Sequence, residues 1–213
     1  MKRRTIGLDD KPDKHTVLLL HFDGNVKDET GINSGLTRQN ITYSTDSKFG
    51  QSVKFGYSNS YIKIPYKKEL LPISGQDMTV DFWVKPNLNN DGMVCLYGNP
   101  SSGSYVYGVQ LGLNKDSIIF YSGTDNNGLF LFSPFPQKVW THIALVLMNN
   151  VFYFYMNGVL KRTFNSNIPN YVNDLLLGIW RDYSYSLNGC IDEYRISNIA
   201  RWTSNFTPPT KPY

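Results

Sequence analysis

From Thr16 onward, short apolar or alternating runs recur along the chain, punctuated by Gly, Asn, Asp and Pro. A period of two bounded by turn residues predicts strands, because successive side chains in a strand point to opposite faces. Strands are expected over residues 16–22, 39–44, 51–56, 60–64, 78–85, 92–97 and 105–113. They are expected again over 117–121, 128–132, 139–148, 151–157, 158–163, 174–180 and 188–196. Helix is confined to one turn near Lys67–Leu70. The sharpest signal is a three-strand meander, residues 139–163, turning at Asn149-Asn150 and Asn157-Gly158. Both pairs tolerate the positive φ that tight hairpins demand. Its middle strand carries Phe152, Phe154 and Met156 on one face and Tyr153 and Tyr155 on the other. This division suits a strand with its back to a core and its tyrosines toward a wet groove. In the run 78–85, Val80, Phe82 and Val84 are expected inward, with Asp81, Trp83 and Lys85 outward.

Composition strengthens this picture. Two Ala and three Glu stand against 15 Tyr, 12 Phe, 17 Gly and 21 Asn, a stock of strand and turn formers with little for helices. An α-helical bundle is excluded. Many short strands without an internal repeat mean a sandwich or closed barrel. The polar segment 1–15 reads as a linker or extension, and 16–213 as one domain.

The net charge of +4 is mild. Its basic residues are scattered, apart from Lys2-Arg3-Arg4 and Lys67-Lys68, whereas a nucleic-acid binder gathers them on one stripe. No apolar run approaches the roughly 20 residues of a membrane span. Met1-Lys2-Arg3-Arg4 leads into the polar Asp9-Asp10-Lys11, so no signal peptide is expected in this chain. Cys95 and Cys190 lack zinc spacing and lie in strand-like runs, which favours buried thiols over a disulfide.

Several blocks in order carry a family resemblance: Leu18-Leu-Leu-His-Phe-Asp23-Gly24, Phe49-Gly50 to Gly56, Tyr61 to Pro65, and Met78 to Val84. Trp140-Thr-His142, Phe154 to Gly158, and Leu187 to Ile196 with Asp192 continue the series. The chain resembles the laminin-G-like, concanavalin A-like jelly-roll domains of bacteria and phages over residues 16–213. The resemblance implies an all-β fold of two antiparallel sheets packed face to face. The ending Ile199 to Thr210 resembles the tail of a subset found in phage and prophage structural proteins. Trp140 and Trp202 match positions that are usually structural in that family, so both are expected in the core.

Glycoside hydrolysis needs two carboxylates across the scissile bond. Relatives of this fold that cleave glucans place two Glu and an Asp alternately on one strand, and Glu29, Glu69 and Glu193 are too far apart in sequence for that. His15, His21 and His142 show no metal-ligand spacing, and no Gly-x-Ser-x-Gly elbow occurs. A glycosidase or polysaccharide lyase is therefore disfavoured.

A metal is a live expectation. Asp23-Gly24-Asn25 is a turn of oxygen donors after the first strand, and Asp192 lies on the last, which in a jelly roll runs close to the first. Backbone carbonyls at turns such as Asn25 and Gly56 would complete a calcium shell. The resemblance points to a structural Ca2+ near Asp192; otherwise Asp192 pairs with Arg195 or a turn amide.

For sugar binding, aromatic faces with a few polar groups are needed. Trp180, Arg181, Asp182, Tyr183 and Tyr185 share one loop between strands. Tyr97 to Tyr107 and Tyr121 to Gly128 are two further aromatic-flanked loops. The expected function is a non-catalytic carbohydrate- or cell-surface-binding module of a phage tail or other virion protein, located on the virion or cell surface. Its partners would be a glycan or surface polysaccharide and other assembly proteins, without nucleic acid. The alternative is a purely structural module whose tyrosine surface packs on another chain.

Overall fold

The computed structural model describes residues 12–56, 59–87, 93–98, 109–122, 129–165, 168, 173–180, 183 and 185–213. Its strands begin with β1 (Thr16–Leu20), β2 (Thr37–Gln39), β3 (Ile41–Ser44), β4 (Ser52–Phe55) and β5 (Tyr61–Ile64). A 3-10 turn at Lys68–Leu70 precedes β6 (Met78–Pro86), β7 (Met93–Gly98), β8 (Val109–Asn114), β9 (Ser117–Ser122) and β10 (Leu129–Phe132). The chain closes with β11 (Thr141–Met148), β12 (Val151–Met156), β13 (Val159–Asn165), β14 (Leu175–Leu177) and β15 (Gly189–Ser197). The large sheet runs β13-β12-β11-β6-β15-β4-β3, with β1 also on β15, so first and last strands do pair. Sheets β10-β9-β8-β7 and β14-β5-β2 form the facing layer, since β14 lies against β7. The pairing is antiparallel throughout the described strands, as a jelly-roll sandwich requires.

The core sits where the alternation puts it. Val80, Phe82, Val84, Phe152, Phe154 and Met156 all join it. Phe120 of β9 meets Phe152 and Phe164 across the gap at 4.9 and 4.8 Å between ring centres, locking one layer to the other. Both meander turns are tight, with positive φ at Asn149, Asn150, Asn157 and Gly158. Cys190 is a buried free thiol, and burial raises its pKa.

Two local features depart from simple alternation. Asn40, at φ 48, splits the expected strand 39–44: β2 enters the small sheet and β3 the large one. In β15, Glu193 at φ 50 forms a bulge between Asp192 and Arg195. The extra residue turns Tyr194 into the core, where its ring stacks on Phe82 at 5.1 Å, while Asp192 and Arg195 both stay on the outer face. Glu193 then reaches His21, whose Nδ1 lies 2.9 Å from both carboxylate oxygens.

The outer face of the large sheet is not the wet groove expected in front of Tyr153 and Tyr155: it is covered. The segment 199–213 crosses it like a strap. Thr79 Oγ1 donates to the Ile199 carbonyl at 2.7 Å and accepts from the Arg201 amide. Trp202 stacks on Phe206 at 3.9 Å, and Phe206 covers Tyr155, which is fully buried. Phe206 also donates its amide to the Gly158 carbonyl, and any Cβ at residue 158 would overlap the Phe206 backbone. Under the strap, Arg195 grips Asp81 with two 3.0 Å hydrogen bonds. The Tyr213 hydroxyl donates to Asp81, and its ring lies 3.6 Å from the Arg195 guanidinium. Asp81 and His142 are 0% exposed and Trp83 is 5% exposed, so residues expected outward are outward yet sealed. Trp140 and Trp202 are half-buried, lying on this covered face instead of in the central core. Asp13 ties the strap's Arg201 from the other side through two 2.9 Å contacts.

Burial alone would raise the Asp81 pKa, but Arg195 and His142 outweigh it and hold the carboxyl at about 2. A depressed carboxylate contributes stability that is present above its ordinary value of 3.8 and lost as pH falls through about 2. Wild-type protein is expected to lose stability between about pH 4 and 2, and Asp81→Asn to lack that component. Arg195→Met leaves Asp81 buried without its cation and should cost about 3–5 kcal/mol. Urea unfolding measures both, and an unchanged midpoint for Arg195→Met refutes the role given to the pair.

Candidate functional site

At one end of the small-sheet layer, aromatic side chains from three segments converge. The chain leaves β14 through Gly178, at φ 81, where a Cβ would overlap the Phe55 ring. Ile179 bridges Ser186, and the Trp180 amide donates to the Tyr185 carbonyl at 2.8 Å. These contacts close a hairpin that carries Trp180, Tyr183 and Tyr185. Tyr183, at φ 63, donates its amide to the Trp180 carbonyl at 2.9 Å, a turn that throws its ring outward. Tyr183 and Tyr185 are 45% and 48% exposed, large areas for aromatic rings.

Trp180 meets Tyr121 edge to face at 6.0 Å, and Tyr183 meets Tyr61 likewise at 5.3 Å. Two aromatic stretches chosen from sequence, the Trp180 loop and the start of the Tyr121 turn, are therefore joined. Gly98 pairs Gln110, and Val109 pairs Ser122, so these described strand ends lie beside Tyr121. Arg181 and Asp182, together with the whole of 99–108 and 123–128, lie outside the described residues. Tyr97 is not part of the surface: it is buried, with its hydroxyl 3.0 Å from the Leu70 carbonyl. Tyr61 was missed as a site residue, although alternation in Tyr61-Ile-Lys-Ile64 already places it opposite the core-facing Ile62 and Ile64.

The metal-ligand candidates divide. The loop 48–51 gathers two of them: Asp192 Oδ2 accepts the amides of Lys48 and Phe49 at 2.7 and 2.9 Å, and Asp23 Oδ1 accepts that of Gln51 at 2.6 Å. Asn25 is exposed and folds back on the Asp23 carbonyl at 3.3 Å. Gly56 is at the far end of β4 from Gln51, roughly 16 Å along the strand, and is tied to Ser60 instead. Asp192 is 0% exposed and its Oδ1 makes no hydrogen bond, while burial and neighbouring Glu193 push its pKa up to about 8. An orphaned buried carboxylate oxygen beside a second carboxylate fits a hard cation. Among the described residues no three His, Cys, Asp or Glu side chains cluster, so backbone and amide oxygens would complete such a shell. Arg195 does not pair with Asp192; it is committed to Asp81.

Two acidic groups of the large sheet, Asp81 and Glu193, are already engaged. Asp81 is held by Arg195 under the strap, and Glu193 accepts the Tyr213 amide at 3.0 Å besides its contact with His21. Each is buried, at 0% and 1% exposure.

The hairpin's aim depends on Gly178. Gly178→Ala forces a side chain into left-handed backbone and against Phe55, and should destabilise the fold by about 1–3 kcal/mol. Thermal unfolding checks this; a wild-type melting temperature would show that the hairpin tolerates another path.

Comparison with known proteins places this architecture. Domain 4 of AbnA, a GH43 extracellular arabinanase from Geobacillus stearothermophilus solved in complex with arabinotriose, superposes with a TM-score of 0.68. It is 22% identical, and the match covers 87% of this chain and 93% of that one. The binding domain of Paraclostridial Mosquitocidal Protein 1 gives 0.67 at 16% identity, over 87% of this chain and 49% of that one. In sequence, the chain is 24% identical over 139 residues to adhesion G-protein coupled receptor V1 of Danio rerio, covering 60% of this chain and 2% of the receptor. The family described as the concanavalin A-like lectin/glucanases superfamily matches residues 55–204. That match takes in most of the sandwich, from β4 to the start of the strap, and the chain belongs to the concanavalin A-like lectin/glucanases superfamily.

Proposed function

We propose that the chain is a non-catalytic carbohydrate- or cell-surface-binding module that meets its ligand at the Trp180 end of the small-sheet layer. The observation that carries this reading is the convergence of Trp180, Tyr121, Tyr61 and Tyr183 on one exposed corner. Aromatic rings held by a rigid sheet stack on the apolar faces of sugars, and flanking polar groups serve the hydroxyls. Arg181 and Asp182, between Trp180 and Tyr183 in sequence, offer a donor and an acceptor. Two structural neighbours are a domain complexed with arabinotriose and the binding domain of a mosquitocidal protein, which agrees with this class of role.

Each contact in water is weak, so one domain should bind in the micromolar to millimolar range, roughly −8 to −4 kcal/mol. Useful attachment then calls for several copies. A phage tail or comparable surface assembly supplies them, and the sequence of the strap, Ile199 to Thr210, supports that setting. A structural Ca2+ held by Asp23 and Asp192 belongs to the same proposal; it would pin the 48–51 loop and has no part in catalysis.

A glycan array tests the binding role. Tyr183→Ala is expected to weaken binding with the melting temperature nearly unchanged, because the ring is largely exposed. Trp180→Ala should abolish binding at a modest stability cost, because that ring is half-buried against Tyr121. Wild-type protein that binds no glycan on a broad array would leave a structural assembly module as the reading. For the metal, excess chelator should lower the melting temperature, since a ligand bound only to the native state stabilises it by RT ln(1 + [L]/Kd). An unchanged curve together with no metal by elemental analysis rejects the Asp23–Asp192 site.

A further inference from the structure

The hairpin that bears Trp180 and Tyr183 links two parts of the layer that strand pairing leaves apart. Phe120 is in the core, so its neighbour Tyr121 stands on the outer face of β9. Ile62 and Ile64 point inward, so Tyr61 stands on the outer face of β5. Trp180 meets the first of these tyrosines and Tyr183 the second. Beyond Tyr61 the row continues onto β2. Gln39 pairs directly opposite Tyr61 on the same face, and its Oε1 accepts the Tyr61 hydroxyl at 3.1 Å. That bond commits one end of the amide; the other has no partner among the described residues, and Gln39 is only half-buried. From β9 to β2 the layer crosses β8, β7, β14 and β5, so at about 4.8 Å per strand the row spans roughly 24 Å.

We propose that this row is a track for a linear polysaccharide, engaged through several consecutive units and not through a terminal sugar. The inference rests on the carbohydrate-binding reading above; it adds the form of the ligand, and Gln39 as a further contact. A site for one terminal sugar needs its polar and aromatic groups to converge on a single ring. Here they stand in file along a face, and one stacked sugar covers only a fraction of the row. One unit stacks at the Tyr121–Trp180 pair and a later one at the Tyr183–Tyr61 pair. The uncommitted end of the Gln39 amide then takes a hydroxyl of the unit beyond, since a sugar hydroxyl can donate or accept. Each contact is weak in water. Once the first unit is bound, however, the next is held close to its own partner, so affinity grows with chain length.

The test measures affinity of the full chain for arabino-, cello- and chito-oligosaccharides by calorimetry, from disaccharide to hexasaccharide. In the series that binds, affinity should rise by about tenfold or more over that range. Gln39→Met keeps the length of the side chain and loses the amide. It should lower the ratio of hexasaccharide to disaccharide affinity by about threefold to tenfold, the worth of one hydrogen bond. Tyr61→Phe keeps the ring, releases the amide from its anchor and should lower the same ratio. Thermal unfolding confirms that both variants are folded. Affinity that does not change with length overturns the track, while the binding reading stands. Binding confined to branched, terminally capped glycans of the array has the same consequence. A wild-type ratio in Gln39→Met ends the row short of β2 and overturns the inference as drawn. A wild type that binds neither these series nor any glycan on the array overturns the binding reading itself, and this one with it.

Discussion

The ion pair between Asp81 and Arg195 is the constraint on which the back of the molecule depends. Both residues stand on adjacent central strands, β6 and β15, and both face away from the core. A charged pair in that place is stable only if its remaining hydrogen-bonding capacity is met and water is kept out evenly. Tyr213 meets part of that need, with its hydroxyl on Asp81 and its ring on Arg195. The strap that delivers Tyr213 also brings Trp202 and Phe206 onto His142 and Tyr155. One polar requirement thus recruits a second, smaller apolar cluster, around Ala144, Val146 and Tyr155, outside the main core.

The bulge at Glu193 makes this arrangement possible. Without it, strict alternation from Asp192 would send Arg195 into the core and Tyr194 out of it. With it, a single strand presents Asp192 and Arg195 to the outer face and still contributes a stacked tyrosine to the interior. Because Arg195 is spent on Asp81, Asp192 is held by backbone amides, those of Lys48 and Phe49 among them, and its Oδ1 makes no hydrogen bond. The metal candidate and the ion pair are therefore two outcomes of the same backbone irregularity.

The two layers consequently differ in what they can offer. The large sheet buries its polar side chains beneath the strap, while the small-sheet layer ends in Tyr61, Tyr121, Trp180 and Tyr183, two of whose rings pair edge to face with the other two. The first carries the buried ion pair and its apolar cover, the second the proposed binding corner, and the Gly178 turn beside Phe55 joins them. Substitutions at one end need not disturb the other.

The sequence by itself determined the all-β class, nearly every strand, both meander turns and the inward faces of β6 and β12. These follow from local rules: a period of two, and Asn or Gly where φ must be positive. It also singled out the Trp180 hairpin, because a loop rich in aromatic and polar residues is visible without knowing its neighbours. Only the tertiary structure decided that Tyr155 and Asp81 are sealed, since the covering residues lie fifty and more positions away in the chain. It alone paired Trp180 with Tyr121 and Tyr183 with Tyr61, and separated Gly56 from Asp23. Alternation tells which side of a sheet a residue faces; it does not tell what lies on that side, because that is set by contacts between segments remote in sequence.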